Sequence, residues 1–138
     1  MTPEEYVGYE LINATAVSAI IGAGSAAACW HDLRPVADTL PSINYYQVGG
    51  GLRVPGFDTV TFSVSCRAAT PAGARDLARE VMTVFGGTSG TGIHGTVNGF
   101  DVARLSLKND NGLIMEPEAD AYNAPIDITL VYAISTIS

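Results

Sequence analysis

The residues of this sequence that could do chemistry are few, and their neighbours argue against most of them. Gly90-Thr91-Gly92-Ile93-His94-Gly95 has the spacing G-x-G-x-x-G, whose glycines let a pyrophosphate approach the N-terminus of a helix. That mechanism needs a strand before the motif and a helix after it, whereas the hydrophobic pattern here predicts a helix before and a strand after. Gly49-Gly50-Gly51 lacks both a following helix and a lysine, so nucleotide binding is not expected. His31 and His94 stand far apart with Asp32 as the only adjacent acid, which does not make a metal site. Glu116, Glu118 and Asp120 alternate, but Pro117 and the turn-like context favour a solvated loop over a cation cage. Asp110-Asn111-Gly112 is a fragment of a calcium loop without its other ligands and reads as a turn. Ser89 follows a predicted helix, with no G-x-S-x-G elbow around it. Cys66 falls on the apolar side of a predicted strand, where a thiolate paired with His94 would be disfavoured. No catalytic residue, metal or cofactor is therefore expected.

Composition narrows the partners. The chain has 138 residues, enough for one domain over 1–138. Hydrophobic residues reach 47% while charged residues make up only 15%, against about 25% in ordinary soluble domains. A surface with so little charge fits one that meets other protein subunits. Seven basic residues against fourteen acidic ones give a net charge of -7, which opposes tight binding to nucleic acid or to an acidic lipid surface. The start, Met1-Thr2-Pro3-Glu4-Glu5, is acidic where a signal peptide is basic, and no export by that route is expected. No stretch is apolar enough for a membrane span, so a membrane is not among the expected partners. Two cysteines, Cys29 and Cys66, are too few for a disulfide scaffold and read as buried thiols.

The elements that must position these residues follow from capping and periodicity. Thr2 as N-cap, Pro3 at the first position and Glu5 three residues on predict a helix from about Pro3 to Ile21, with Val7, Leu11, Ala14, Val17 and Ile21 on one face. A short extended segment is expected over 26–32 and a strand over 42–48. The loop from Gly49 through Gly56 is read as exposed. Val60, Phe62, Val64, Cys66 and Ala68 alternate with polar residues, giving a strand with one core face and one polar face. Thr70 and Pro71 start a second helix that Gly86-Gly87 ends. Asn98-Gly99 predicts a two-residue hairpin turn between strands at 93–97 and 100–108. A final strand puts Ile126, Ile128, Leu130, Tyr132 and Ile134 on one face. The predicted class is α+β, a mostly antiparallel sheet of five or six strands with two helices packed on one face.

This order of elements, with four local stretches, resembles the phage tail terminator (tail completion) family of long-tailed phages. The stretches are Leu11-Ile12-Asn13-Ala14 in the first helix; Leu40-Pro41-Ser42-Ile43-Asn44-Tyr45-Tyr46-Gln47 entering a strand; Val64-Ser65-Cys66-Arg67-Ala68-Ala69-Thr70 running into Ala74-Arg75-Asp76-Leu77-Ala78; and Ala124-Pro125-Ile126-Asp127-Ile128. The resemblance implies a non-enzymatic virion protein. It implies a ring, usually a hexamer of the chain with itself, that caps the tail tube protein, ends its polymerisation and presents a surface to a head-side connector or stopper protein.

Physical reasoning assigns surfaces to that ring. A closed head-to-tail ring buries two different lateral patches per subunit, and Ile12, Ile20 and Met82, off the main apolar stripes, are the candidates. Thr61, Ser63 and Ser65, or the acidic residues Glu116, Glu118 and Asp120, are candidates to face a central channel. Six subunits carry 6 × -7 = -42, a field through which DNA would pass without tight binding. Gly49, Gly50, Gly51, Leu52, Arg53, Val54 and Phe57 form the candidate loop for contact with the tube or connector. A head-completion or tail-tube subunit, a small-ligand-binding α+β module and a monomeric domain are the alternatives this reading leaves open.

Overall fold

Thr2 sets the chain into its first helix. Its hydroxyl accepts from the Glu5 N–H at 3.2 Å, and Pro3 needs no N–H partner where it stands. In the computed structural model, which describes residues 1–22, 29–31, 40–50, 55–86, 93–116 and 121–134, that helix is α1, Pro3–Asn13. Ala14 then takes an extended conformation, and a separate α2 runs over Thr15–Ile21. The single helix expected over 3–21 is thus two. The Ser18 hydroxyl donates back to the Ile12 carbonyl and the Asn13 side chain donates to the Tyr9 carbonyl at 2.8 Å, so side chains take over carbonyls that a continuous helix would use. The apolar face survives the break: Val7, Leu11, Val17 and Ile21 are all buried.

The strands are β1 (Cys29–His31), β2 (Ser42–Gly50), β3 (Phe57–Ala68), β4 (Ile93–Val97), β5 (Phe100–Asp110), β6 (Ile114–Glu116) and β7 (Ala121–Ala133), with α3 (Pro71–Gly86) between β3 and β4. They form one seven-stranded sheet in the order β1-β2-β3-β7-β5-β4, with β6 beside β7. The expected class, an antiparallel-dominated α+β fold, is the one found. Two strands enlarge the expected sheet. β1 pairs with β2 in parallel, the one parallel pair among the described strands. β6 continues the line of β5 along β7: Asp110 stands opposite Ile126, the Asn111 N–H donates to the Pro125 carbonyl at 3.0 Å, and Ile114 stands opposite Asn123. Asp110-Asn111-Gly112 therefore kinks a strand edge without reversing it. Gly112 there has φ 77° and donates its N–H to the Asp110 carboxylate at 3.1 Å.

The Asn98-Gly99 turn has φ 49° and 80°, the left-handed pair that a type I′ hairpin requires. Thr70 caps α3 through the Gly73 N–H at 3.0 Å. Alternate residues of β3 and β7, Val60 to Cys66 and Ala124 to Tyr132, face the buried residues of all three helices in one apolar cluster. The helices thus lie on one side of the sheet, as expected. Gly8 of α1 comes so close to β2 that a Cβ there would stand 2.5 Å from the Tyr45 hydroxyl.

Candidate functional site

The face of the sheet turned away from the helices carries the polar row of β3. Thr61, Ser63 and Ser65 are present on that face but are only 6 to 8% exposed. They are flanked in register by Tyr46 and Asn44 of β2 and by Thr129, Asp127 and Pro125 of β7. β3 is thus covered on both faces, where the alternating pattern suggested an open polar one. Small hydroxyls between two larger neighbouring rows are shielded by those rows. The Asn123 amide donates to the Ser65 hydroxyl at 3.4 Å, and the Asn44 amide donates to the Trp30 carbonyl at 3.3 Å, tying β1 and β7 into this face.

At one end of the row lies a feature absent from the sequence-based expectations. Arg67, 1% exposed, is the largest fully buried side chain, and its Nε donates to Glu116 Oε1 at 2.7 Å. Arg67 is opposite Asn123 in β7, and Glu116 closes β6 on the far side of β7 opposite Ala121. The pair spans three strands. Glu116, expected in a solvated acidic loop, is instead a strand residue whose carboxylate meets a guanidinium. Glu118 and Asp120 lie outside the described residues. A buried arginine has no neutral form to retreat to, so its anionic partner sets whether burial is tolerable.

Cys66 is buried in the core, and that burial pushes its thiol well above its ordinary range; burial pushes the Cys29 thiol up to about 12. Neither is a ready nucleophile. His31 packs its ring against Tyr45 at 5.2 Å between centroids, while the side chain of His94 and residues 87–92, which include Ser89, lie outside the described residues. Among the described residues no group of three or more His, Cys, Asp or Glu side chains could hold a metal ion. No helix among them is long and apolar enough to cross a membrane.

The thiols give a prediction with a definite sign. A group ionised more readily in the unfolded chain than in the fold favours unfolding once pH passes its unfolded value. Stability should hold below pH 9, the ordinary thiol value, and fall as pH rises from there toward 12, where Cys29 itself ionises. Thermal melts of the wild type and of a Cys29→Ala/Cys66→Ala variant over this range should diverge, the wild type losing more. Parallel curves would show that the thiols do not contribute.

The three residues expected at lateral contacts are half-buried rather than open. Ile20 lines an apolar hollow of about 360 Å³ with Leu40, Pro41 and Ala68. Met82 lines a groove of about 250 Å³ between α3 and the β5–β6 kink. Ile12 is half-buried on α1. The large apolar side chains that are exposed are others: Tyr9, Tyr46, Val48, Phe57, Ile114, Met115 and Ile134, at 36 to 54%. Phe57 belongs to the expected contact loop, as do Gly49 and Gly50, which lie at the end of β2. Gly51, Leu52, Arg53 and Val54 lie outside the described residues. Val48, Phe57 and Ile134 gather where β2 ends, β3 begins and β7 ends, the Ile134 N–H donating to the Gly56 carbonyl at 3.0 Å. Ile114 and Met115 stand on β6 at the opposite end of β7. Sequence patterning could flag Ile114 and Met115 as a short apolar run, but nothing local marks them as uncovered.

Five of the seven exposed large apolar side chains of this two-layer α+β domain lie toward two opposite ends of the sheet. No protein-family model matches the chain, and no curated protein does. Among solved structures it is similar to a chain of the "Virion of native gene transfer agent (GTA) particle", with a TM-score of 0.62 and 13% identity over 92% of this chain and 91% of that chain. The likeness is one of fold, and it covers nearly the whole of both chains.

Proposed function

We propose that this chain is a structural virion protein that closes into a ring on the end of a tail tube, ends the tube's polymerisation and joins it to a head-side connector. The observation that carries the virion role is the near full-length fold likeness to a chain of a gene transfer agent virion. The tail-end position rests on the four stretches that resemble tail terminator proteins. The two unlike apolar ends of the sheet support a ring, because a closed head-to-tail interface needs two different patches on every subunit.

In this reading the subunit is non-enzymatic and its partners are its own copies, the tube protein and a connector or stopper protein. The tip of the Gly49–Phe57 loop makes the axial contact, while the exposed Phe57 at its base belongs to the lateral end of the sheet. The sheet face with Thr61, Ser63 and Ser65 is turned to the channel. Glu116 contributes less field there than a free carboxylate would, since Arg67 offsets its charge. The net charge of -7 per subunit still keeps DNA from binding tightly as it passes. The test is position and copy number in an assembled particle: one ring of this chain at the head-side end of each tail. Copies distributed along the tube or placed in the head would favour a tube or head-completion subunit.

A further inference from the structure

Two hollows on the helix side of the sheet differ in the charged side chains that line them, Glu4 and Asp58 in one, Arg75 and Arg79 with Asp110 in the other. One, of about 460 Å³, is lined by Pro3, Glu4, Gln47, Asp58, Thr59 and Tyr132 among others. Glu4 is in the first turn of α1, and the Asp58 carboxylate is positioned by the Tyr132 hydroxyl at 3.2 Å and its neighbour's Thr59 N–H at 2.9 Å. The other is the groove of about 250 Å³ with Arg75 and Arg79 on its rim and Ala78, Met82, Leu113 and Ala124 below. Its one acid, Asp110, accepts from the Gly112 N–H. Arg79 meets Asp76 at 3.4 Å with both side chains well exposed, a contact of little strength.

Tyr132 lines the first hollow and Ala124 the second, so they lie eight residues apart on β7, about 26 Å at ~3.3 Å per residue. Each hollow sits at an end of the sheet that also bears exposed apolar side chains: Val48, Phe57 and Ile134 at the acidic end, Ile114 and Met115 at the basic end. Only seven residues of the chain are basic, and two of them stand on this one groove. A twofold pairing through either end would bring like charges together. A head-to-tail rotation of one copy relative to the next brings acid to arginine and apolar rim to apolar rim.

We propose that the Arg75–Arg79 groove receives the Glu4–Asp58 end of a second copy of this chain, making head-to-tail contact. This rests on the ring proposed above and names the surfaces that close it. The test is sedimentation velocity of the full chain over a concentration series, at low and high salt, for three proteins. Arg75→Glu/Arg79→Glu sets acid against acid, and Glu4→Arg sets arginine against arginine. Each alone should associate at least about tenfold more weakly than wild type. Mixed in equal amounts they should recover association, because alternating copies restore both charge pairings. The milder Arg79→Gln and Glu4→Gln should weaken association less, and circular dichroism melts confirm that each variant is folded. Wild-type association that neither reversal changes, or reversals that mixing does not rescue, would overturn this interface and leave the ring intact. A wild type that stays monomeric at every concentration and on tail tubes would overturn both.

Discussion

Replacing Glu116 with alanine is expected to destabilise the fold by about 3 kcal/mol, more than replacing its partner Arg67 with methionine. The asymmetry comes from depth. The Arg67 side chain is 2% exposed and that of Glu116 27%, so losing the carboxylate removes the ion pair from a guanidinium that cannot shed its proton and lies away from water. Losing the guanidinium leaves a carboxylate that water still reaches, while methionine keeps much of the apolar stem's packing. An Arg67→Met/Glu116→Leu double variant should lie closer to wild type than Glu116→Ala alone, because it removes both charges from the buried face. Thermal melts should show a drop of roughly 12 °C for Glu116→Ala, at about 4 °C per kcal/mol for a domain of this size. Equal melting temperatures for Glu116→Ala and wild type would mean that the pair does not hold β6 against the sheet. β6 carries Ile114 and Met115, so the same variant should also weaken self-association.

Phe100→Ala is expected to lower stability by roughly 3 to 5 kcal/mol, the range for emptying a fully buried aromatic site. Phe100 is 0% exposed and packs between Tyr6 of α1 at 5.3 Å and Tyr132 of β7 at 5.4 Å. It follows the Asn98-Gly99 turn directly, so hairpin, helix and central strand meet on one ring. Such aromatic pairs add about 0.5 to 1.5 kcal/mol beyond the area they bury. Phe100→Leu should cost clearly less, since it keeps most of the volume. Chemical denaturation of the three proteins orders them: wild type, Phe100→Leu, Phe100→Ala. The functional consequence follows from Tyr132, whose hydroxyl holds Asp58 in the acidic hollow. Loosening the aromatic stack should weaken association even where the chain stays folded. A Phe100→Ala protein with wild-type stability would show that α1 is held by other contacts.

Most of the sheet was legible because its signals are local. The period of two in β3 and β7, the left-handed Asn98-Gly99 pair and the Thr2 and Thr70 caps each act within a few residues, and each stands where expected. The break at Ala14 was not legible, since Val7, Leu11, Val17 and Ile21 keep one face through it and no glycine or proline marks it. Asp110-Asn111-Gly112 looks the same whether the chain reverses or only kinks; only β7, which supplies partners on both sides of Gly112, decides. The Arg67–Glu116 pair joins residues 49 positions apart, and nothing near either one announces the other. The polar row of β3 was read correctly in face but not in exposure, because flanking strands from distant parts of the chain cover it.

The low charge content takes on a spatial meaning. Arg67 is spent within the fold, Arg75 and Arg79 gather on one groove, and Glu4 and Asp58 line a hollow at the opposite end. In the proposed ring, a subunit with unlike ends and a net charge of -7 pairs with its own kind around a path that DNA crosses without being retained. The measurement that tests this most directly is cryo-electron microscopy of particles assembled with this chain. The account predicts a single closed ring at the head-side end of each tail, with the Arg75–Arg79 groove of every subunit facing its neighbour. Finding the chain repeated along the tube, inside the head, or missing from the particle would contradict it.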